Sequence, residues 1–146
     1  MMRKQLAALL DPADEAMTTL ANAATFLSGA LEGINWIGFY LLRGDTLVLG
    51  PFQGKPACTK IPVGRGVCGA AVRQNRTLRV PNVRAFPGHI ACDAASKSEL
   101  VVVLRDGNGL PLGVLDADSP VEARFTETDA ALLEAAAEII SRVIAG

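Results

Sequence analysis

One histidine and three cysteines serve a chain of 146 residues, and this scarcity narrows what the protein can be. Cys58, Cys68 and Cys92 are separated by nine and twenty-three residues, with His89 near the last. Nothing in that spacing matches the paired C-x-x-C knuckles of a structural zinc site. Three is also an odd count for a disulfide framework. Fourteen basic residues against fifteen acidic ones leave a net charge of -1. No Lys/Arg stripe interleaved with aromatics marks a nucleic-acid surface. Long apolar runs are missing too: the N-terminal stretch MMRKQLAALLDPADE loses its apolar character at Asp11. That is too short for a signal-peptide core or a membrane span. The expectation is a cytoplasmic protein with reduced cysteines, bound to neither membrane nor nucleic acid, with no metal and no cofactor.

What is present is a globular composition, 50% apolar and 20% charged, which fits one domain over residues 1–146 with a real core. Met17, Leu20, Ala24, Leu27 and Leu31 recur at three- and four-residue spacing and predict an amphipathic helix over 14–31. INWIGFYLL (34–42) reads as a buried strand, RGD as a turn and TLVLG as the returning strand of a hairpin. Residues 50–63, with three prolines, read as loop. GVCGAAVRQN predicts a short helix, TLRV a short strand, and residues 81–96 a long loop. ELVVVLR, the turn DGNG and LPLGVLDAD predict a second hairpin. A last helix starts near Thr126, where TETD resembles a capping box through Asp129. Its apolar stripe is Leu132, Leu133, Ala136, Ile139, Ile140 and Val143. Hairpin-joined strands with helices at both ends imply an α+β fold, an antiparallel sheet covered by helices.

The reactive residues gather in PGHIACDAASKSE (87–99), which holds His89, Cys92, Asp93 and Glu99. A loop as long as 81–96 is uncommon in a compact domain unless it serves a function. His89 taken alone reads as a structural hydrogen-bonding residue. GRGVCG resembles a dinucleotide fingerprint but lacks the following βαβ unit and the acid ~20 positions on. It reads instead as a glycine turn into a helix, which puts Cys68 in the first turn, where the helix dipole favours a thiolate. Cys58 and Cys92 fall in polar loops beside Lys55, Lys60 and Asp93, a placement that suits redox chemistry. Trp36 reads as a core residue of its strand. Asp116 and Asp118 are two apart on a strand and share a face. Two such acids can hold an ammonium group, or supply a proton when one raises the pKa of the other.

Beyond these readings, NWIGFYLL, LVLGPFQGKPACTKIPVGRGVCG, VPNVRAFPGHIACDAASKSE and GVLDADSP resemble the successive signature blocks of the free methionine-(R)-sulfoxide reductases. These are enzymes built on the GAF fold. The resemblance runs from about residue 16 to the end and includes the spacing of all three cysteines. Val103 and Asn82 depart from the family pattern, and the DGNG turn is one residue longer, which leaves the pairing of Glu99 with Asp116 open.

The resemblance implies a GAF-like antiparallel sheet flanked by N- and C-terminal helices. It also implies the roles of individual residues. Cys92 matches the catalytic cysteine, Cys58 the resolving cysteine, and Cys68 an accessory cysteine near the substrate. Trp36 and Tyr40 match an aromatic wall around the substrate methyl group, and Glu99, Asp116 and Asp118 match acids lining the pocket. The implied reaction reduces free methionine (R)-sulfoxide through a sulfenic acid and an intramolecular disulfide, with thioredoxin as reductant. A homodimer is expected from the family and from the apolar face of the N-terminal helix. The competing expectation is a non-catalytic GAF sensor that binds a small ligand, which would need neither the cysteine set nor the acids.

Overall fold

Side-chain alternation along β1 (Trp36–Arg43) decides the architecture. Successive residues of a strand point to opposite faces, so Ile37 and Phe39 face one way and Trp36 and Tyr40 the other. In the computed structural model, which describes residues 1–89 and 95–145, these two sets belong to two separate apolar clusters. Five further strands complete the sheet among the described residues: β2 (Thr46–Gly54), β3 (Lys60–Pro62), β4 (Leu78–Val80), β5 (Ser98–Arg105) and β6 (Pro111–Ser119). The order is β3-β2-β1-β6-β5-β4, with every neighbouring pair antiparallel.

Helices cover the two faces unequally. On the Ile37 face pack α1 (Met2–Leu9), α2 (Ala16–Ala30) and α4 (Glu127–Ala145), through Leu6, Leu20, Leu27, Leu133 and Ile140. The opposite face carries α3 (Gly66–Gln74), which packs Val67, Ala71 and Val72 against Val101, Val103 and Val114. The start of α4 is set by the sequence-read capping box. Thr126 N–H donates to Asp129 Oδ2 (2.9 Å), and Asp129 N–H donates to Thr126 Oγ1 (3.1 Å). At the other end of the chemistry, α3 stops at Asn75, whose φ of 51° is left-handed, a conformation asparagine tolerates well.

Three expectations need correction. Residues 50–63 are not one loop, because β2 runs on through Pro51 and β3 follows. Gly38 faces Phe52 while Tyr40 faces Leu49, so β2 carries one extra residue in that interval. Such a bulge is a place where a proline costs the ladder nothing. A helix, α1, also precedes the predicted one and buries Leu6. Met17 was placed on the buried stripe but is 55% exposed, because it lies in the first turn of α2 at the margin of the Leu20–Leu27 face.

Candidate active site

Cross-strand rows on the α3 side of the sheet build the pocket. One row runs Trp36 on β1, Asp118 on β6 and Glu99 on β5. The next runs Gly38, Asp116 and Val101. The cross-strand partner of Glu99 is therefore Asp118, with Asp116 diagonal to it. Gly38 has to be glycine here: a Cβ would lie 2.3 Å from that of Phe52 on the facing strand. Val67 and Cys68 enter from the first turn of α3 and Val83 from a short 3-10 turn (Val83–Ala85), and His89 and Ser96 line the pocket as well.

The aromatic wall also fastens a loop. Trp36 stacks between Tyr40 and Phe52, with ring centroids 6.0 and 5.3 Å away. Its indole N–H donates to the carbonyl of Lys55 (3.1 Å), and the Tyr40 hydroxyl donates to the carbonyl of Cys58 (2.9 Å). Two hydrogen bonds from one strand thus hold residues 55–58, of which Ala57 lines the pocket. On the far side, Gly64 and Gly66 take positive φ values of 90° and 63°, which confirms GRGVCG as a turn into α3. The Gly66 N–H donates to the carbonyl of Gly88 (3.0 Å) and so ties the loop before His89 to the same helix.

The acids sit where water is scarce. Asp116 is 5% exposed, and its Oδ1 has no hydrogen-bond partner among the described residues. The Cys68 thiol, 3% exposed, donates to Glu99 Oε2 at 3.8 Å. Burial, and then the charge of Asp116, pushes the Glu99 carboxyl well above its usual range. Burial and the neighbouring Asp118 do the same to Asp116. Burial likewise raises the Tyr40 hydroxyl, helped by Asp116.

Cys68 shows the same effect and overturns an expectation. Burial, Asp116 and Glu99 push its thiol well up. The helix N-terminus, equivalent to about half a charge, favours a thiolate, but desolvation and the surrounding carboxyls outweigh it. Cys68 is a buried free thiol. Among the described residues lining the pocket there is no Lys or Arg, so the cavity is suited to a cationic group.

Comparison with known proteins agrees with this geometry. A model of the GAF domain matches residues 11–145. The free methionine-R-sulfoxide reductase of Escherichia coli is 59% identical over 113 residues, which cover 77% of this chain and 68% of that one. The chain belongs to the free methionine-R-sulfoxide reductase family of GAF domains. Two solved structures from this family superpose closely. The fRMsr of Staphylococcus aureus in reduced form has a TM-score of 0.93 and 47% identity, covering 98% of this chain and 92% of that one. The Neisseria meningitidis free methionine-R-sulfoxide reductase, in complex with its substrate, has a TM-score of 0.90 and 46% identity, covering 98% and 86%.

The reductase family's expected site residues can now be placed. Trp36, Tyr40, Cys68, Glu99, Asp116 and Asp118 all line one pocket. Cys58 sits, half-buried, on the loop that Trp36 and Tyr40 hold. Cys92 and Asp93 lie outside the described residues. The sequence gives no sign of Ile61, Val67, Val83 or Ser96, and His89 taken alone reads as structural; all five line the pocket. Among the described residues, no helix is long and apolar enough to cross a membrane.

Proposed function

We propose that this chain reduces free L-methionine (R)-S-oxide to methionine, with Cys92 as nucleophile. The observation that carries the reading is the meeting of Glu99, Asp116 and Asp118 beside an aromatic wall in a pocket with no Lys or Arg among its described lining residues. The names of the chain's relatives support it. A free amino acid offers an ammonium group that carboxyls can hold, and a methyl-bearing sulfur that Trp36 and Tyr40 can enclose.

The chemistry follows from the groups. A sulfoxide sulfur becomes electrophilic when its oxygen accepts a proton. A carboxyl that burial makes hold its proton to higher pH than usual can give that proton, which suits Glu99 and Asp116. The Cys92 thiolate attacks the sulfur; as the protonated oxygen passes to Cys92, the S–O bond and the transient bond between the two sulfurs break, leaving a sulfenic acid on Cys92 and free methionine. Cys58 then condenses with the sulfenic acid, releasing water and forming a disulfide. Thioredoxin, a dithiol, reduces that disulfide by exchange. Cys68 stays a neutral thiol beside the acids and takes an accessory role. Such a cycle needs a reducing compartment, which the cytoplasm provides.

The test is a side-by-side assay with thioredoxin or dithiothreitol. Its substrates are each epimer of free methionine sulfoxide and each epimer of the N-acetylated, C-amidated form. The expected result is turnover of the free (R) epimer and little of the blocked form, because a site built to pair polar groups rejects analogues that leave them unsatisfied. Binding of the free sulfoxide without methionine release would point to a sensor instead.

A further inference from the structure

We propose that Cys68, Glu99 and Asp116 form a site for one thiophilic divalent cation of the zinc, cadmium or cobalt class. The donors come from three different elements, α3, β5 and β6, and one ligand atom from each lies within 4.8 Å of the other two. Cys68 Sγ and Glu99 Oε2 are already 3.8 Å apart. Tetrahedral zinc with Zn–S of about 2.3 Å and Zn–O of about 2.1 Å needs sulfur and oxygen donors about 3.6 Å apart. The three residues are therefore close to a coordinating arrangement with no backbone change.

A second observation points the same way. Among the described residues Asp116 Oδ1 is buried without a hydrogen-bond partner, and an unsatisfied buried carboxylate oxygen is costly. A cation would satisfy it and offset the repulsion among the neighbouring carboxyls. The thiolate selects the cation's class: soft sulfur ligands favour zinc-like metals, whereas magnesium and calcium prefer sets made wholly of oxygen. On binding, the Cys68 S–H proton and the protons held by the Glu99 and Asp116 carboxyls pass to solvent, and metal–sulfur and metal–oxygen bonds replace them, with no change of oxidation state. Water completes the coordination.

The test uses a Cys58→Ser/Cys92→Ser protein, in which Cys68 is the sole thiol, titrated with Co²⁺. A thiolate-to-cobalt charge-transfer band should grow to saturation at one Co²⁺ per chain and disappear on adding Zn²⁺. Cys68→Ala in the same background, shown to be folded by circular dichroism, should lose the band. Asp116→Asn should weaken binding by about tenfold or more. Absence of the band in the Cys68-only protein, or its survival in Cys68→Ala, overturns the site. Should Cys68→Ala fail to fold, Zn²⁺ must slow alkylation of Cys68 by iodoacetamide in the Cys68-only protein; an unchanged rate overturns the site equally. Both readouts are independent of methionine release, so this inference and the reductase reading stand or fall separately.

Discussion

Glu99 on β5 and Asp118 on β6 face each other directly across the ladder, and Asp116 lies one row further along the same face. Like charges set opposite one another repel, and desolvation raises the carboxyls of half-buried Glu99 and buried Asp116 well above their usual range. Both keep their protons to higher pH than ordinary acids do. If one of them protonates the sulfoxide oxygen, kcat/KM should fall as pH rises through the raised value. Glu99→Gln should lower kcat/KM by about 10²-fold and change that alkaline limb. A pH profile and rate like those of the wild type would make Glu99 a bystander.

Asp116 should cost the fold stability at neutral pH. Its folded pKa is raised, so the folded state holds more protons than the unfolded chain. The stability it contributes is fully present below the ordinary aspartate pKa of about 3.9 and declines as pH rises toward the raised value. Asp116→Asn should therefore raise stability at pH 8 by about 1 kcal/mol, a few degrees in Tm, while methionine formation drops. Thermal unfolding at pH 5 and pH 8 checks this, and the gain should be larger at pH 8. A variant less stable than wild type at both values would contradict it.

Tyr40→Phe removes the hydroxyl that donates to the Cys58 carbonyl, a bond worth about 1 kcal/mol. Of the two side-chain bonds from β1 to residues 55–58, only that of the Trp36 indole would then remain. Turnover supported by a dithiol should fall more than the first release of methionine, because only the later steps need Cys58 in place. Quenched-flow measurement of methionine release against steady-state rate separates the two; equal losses would remove the positioning role.

Cys58→Ser should release about one equivalent of methionine and then stall with thioredoxin as reductant, since the sulfenic acid lacks its partner thiol. In the wild type, peptide mapping after substrate oxidation should find Cys58 joined to Cys92. A Cys68–Cys92 bridge would exchange the resolving and accessory roles.

Local signals in the sequence carried much of this site. The period-2 alternation of LGVLDADSP placed Asp116 and Asp118 on one face, and Thr126 with Asp129 marked the start of α4, as the structure confirms. What failed depended on partners distant in the chain. Pro51 looked like a loop residue because its tolerance comes from a bulge set by β1. Cys68 looked like a thiolate because its helix turn was visible, whereas Glu99 and Asp116, delivered by β5 and β6, were not visibly its neighbours. Val83 and Ser96 are ordinary residues that reach the pocket only in the folded chain.

The most direct test of the central claim is a single-turnover measurement of methionine released by reduced protein, with free L-methionine (R)-S-oxide in excess and no external reductant. The wild type should release about one methionine per chain, and Cys92→Ser essentially none, because a hydroxyl at its normal pKa is a far weaker nucleophile than a thiolate. Release by Cys92→Ser at a level near the wild type, or none from the wild type itself, would contradict the account.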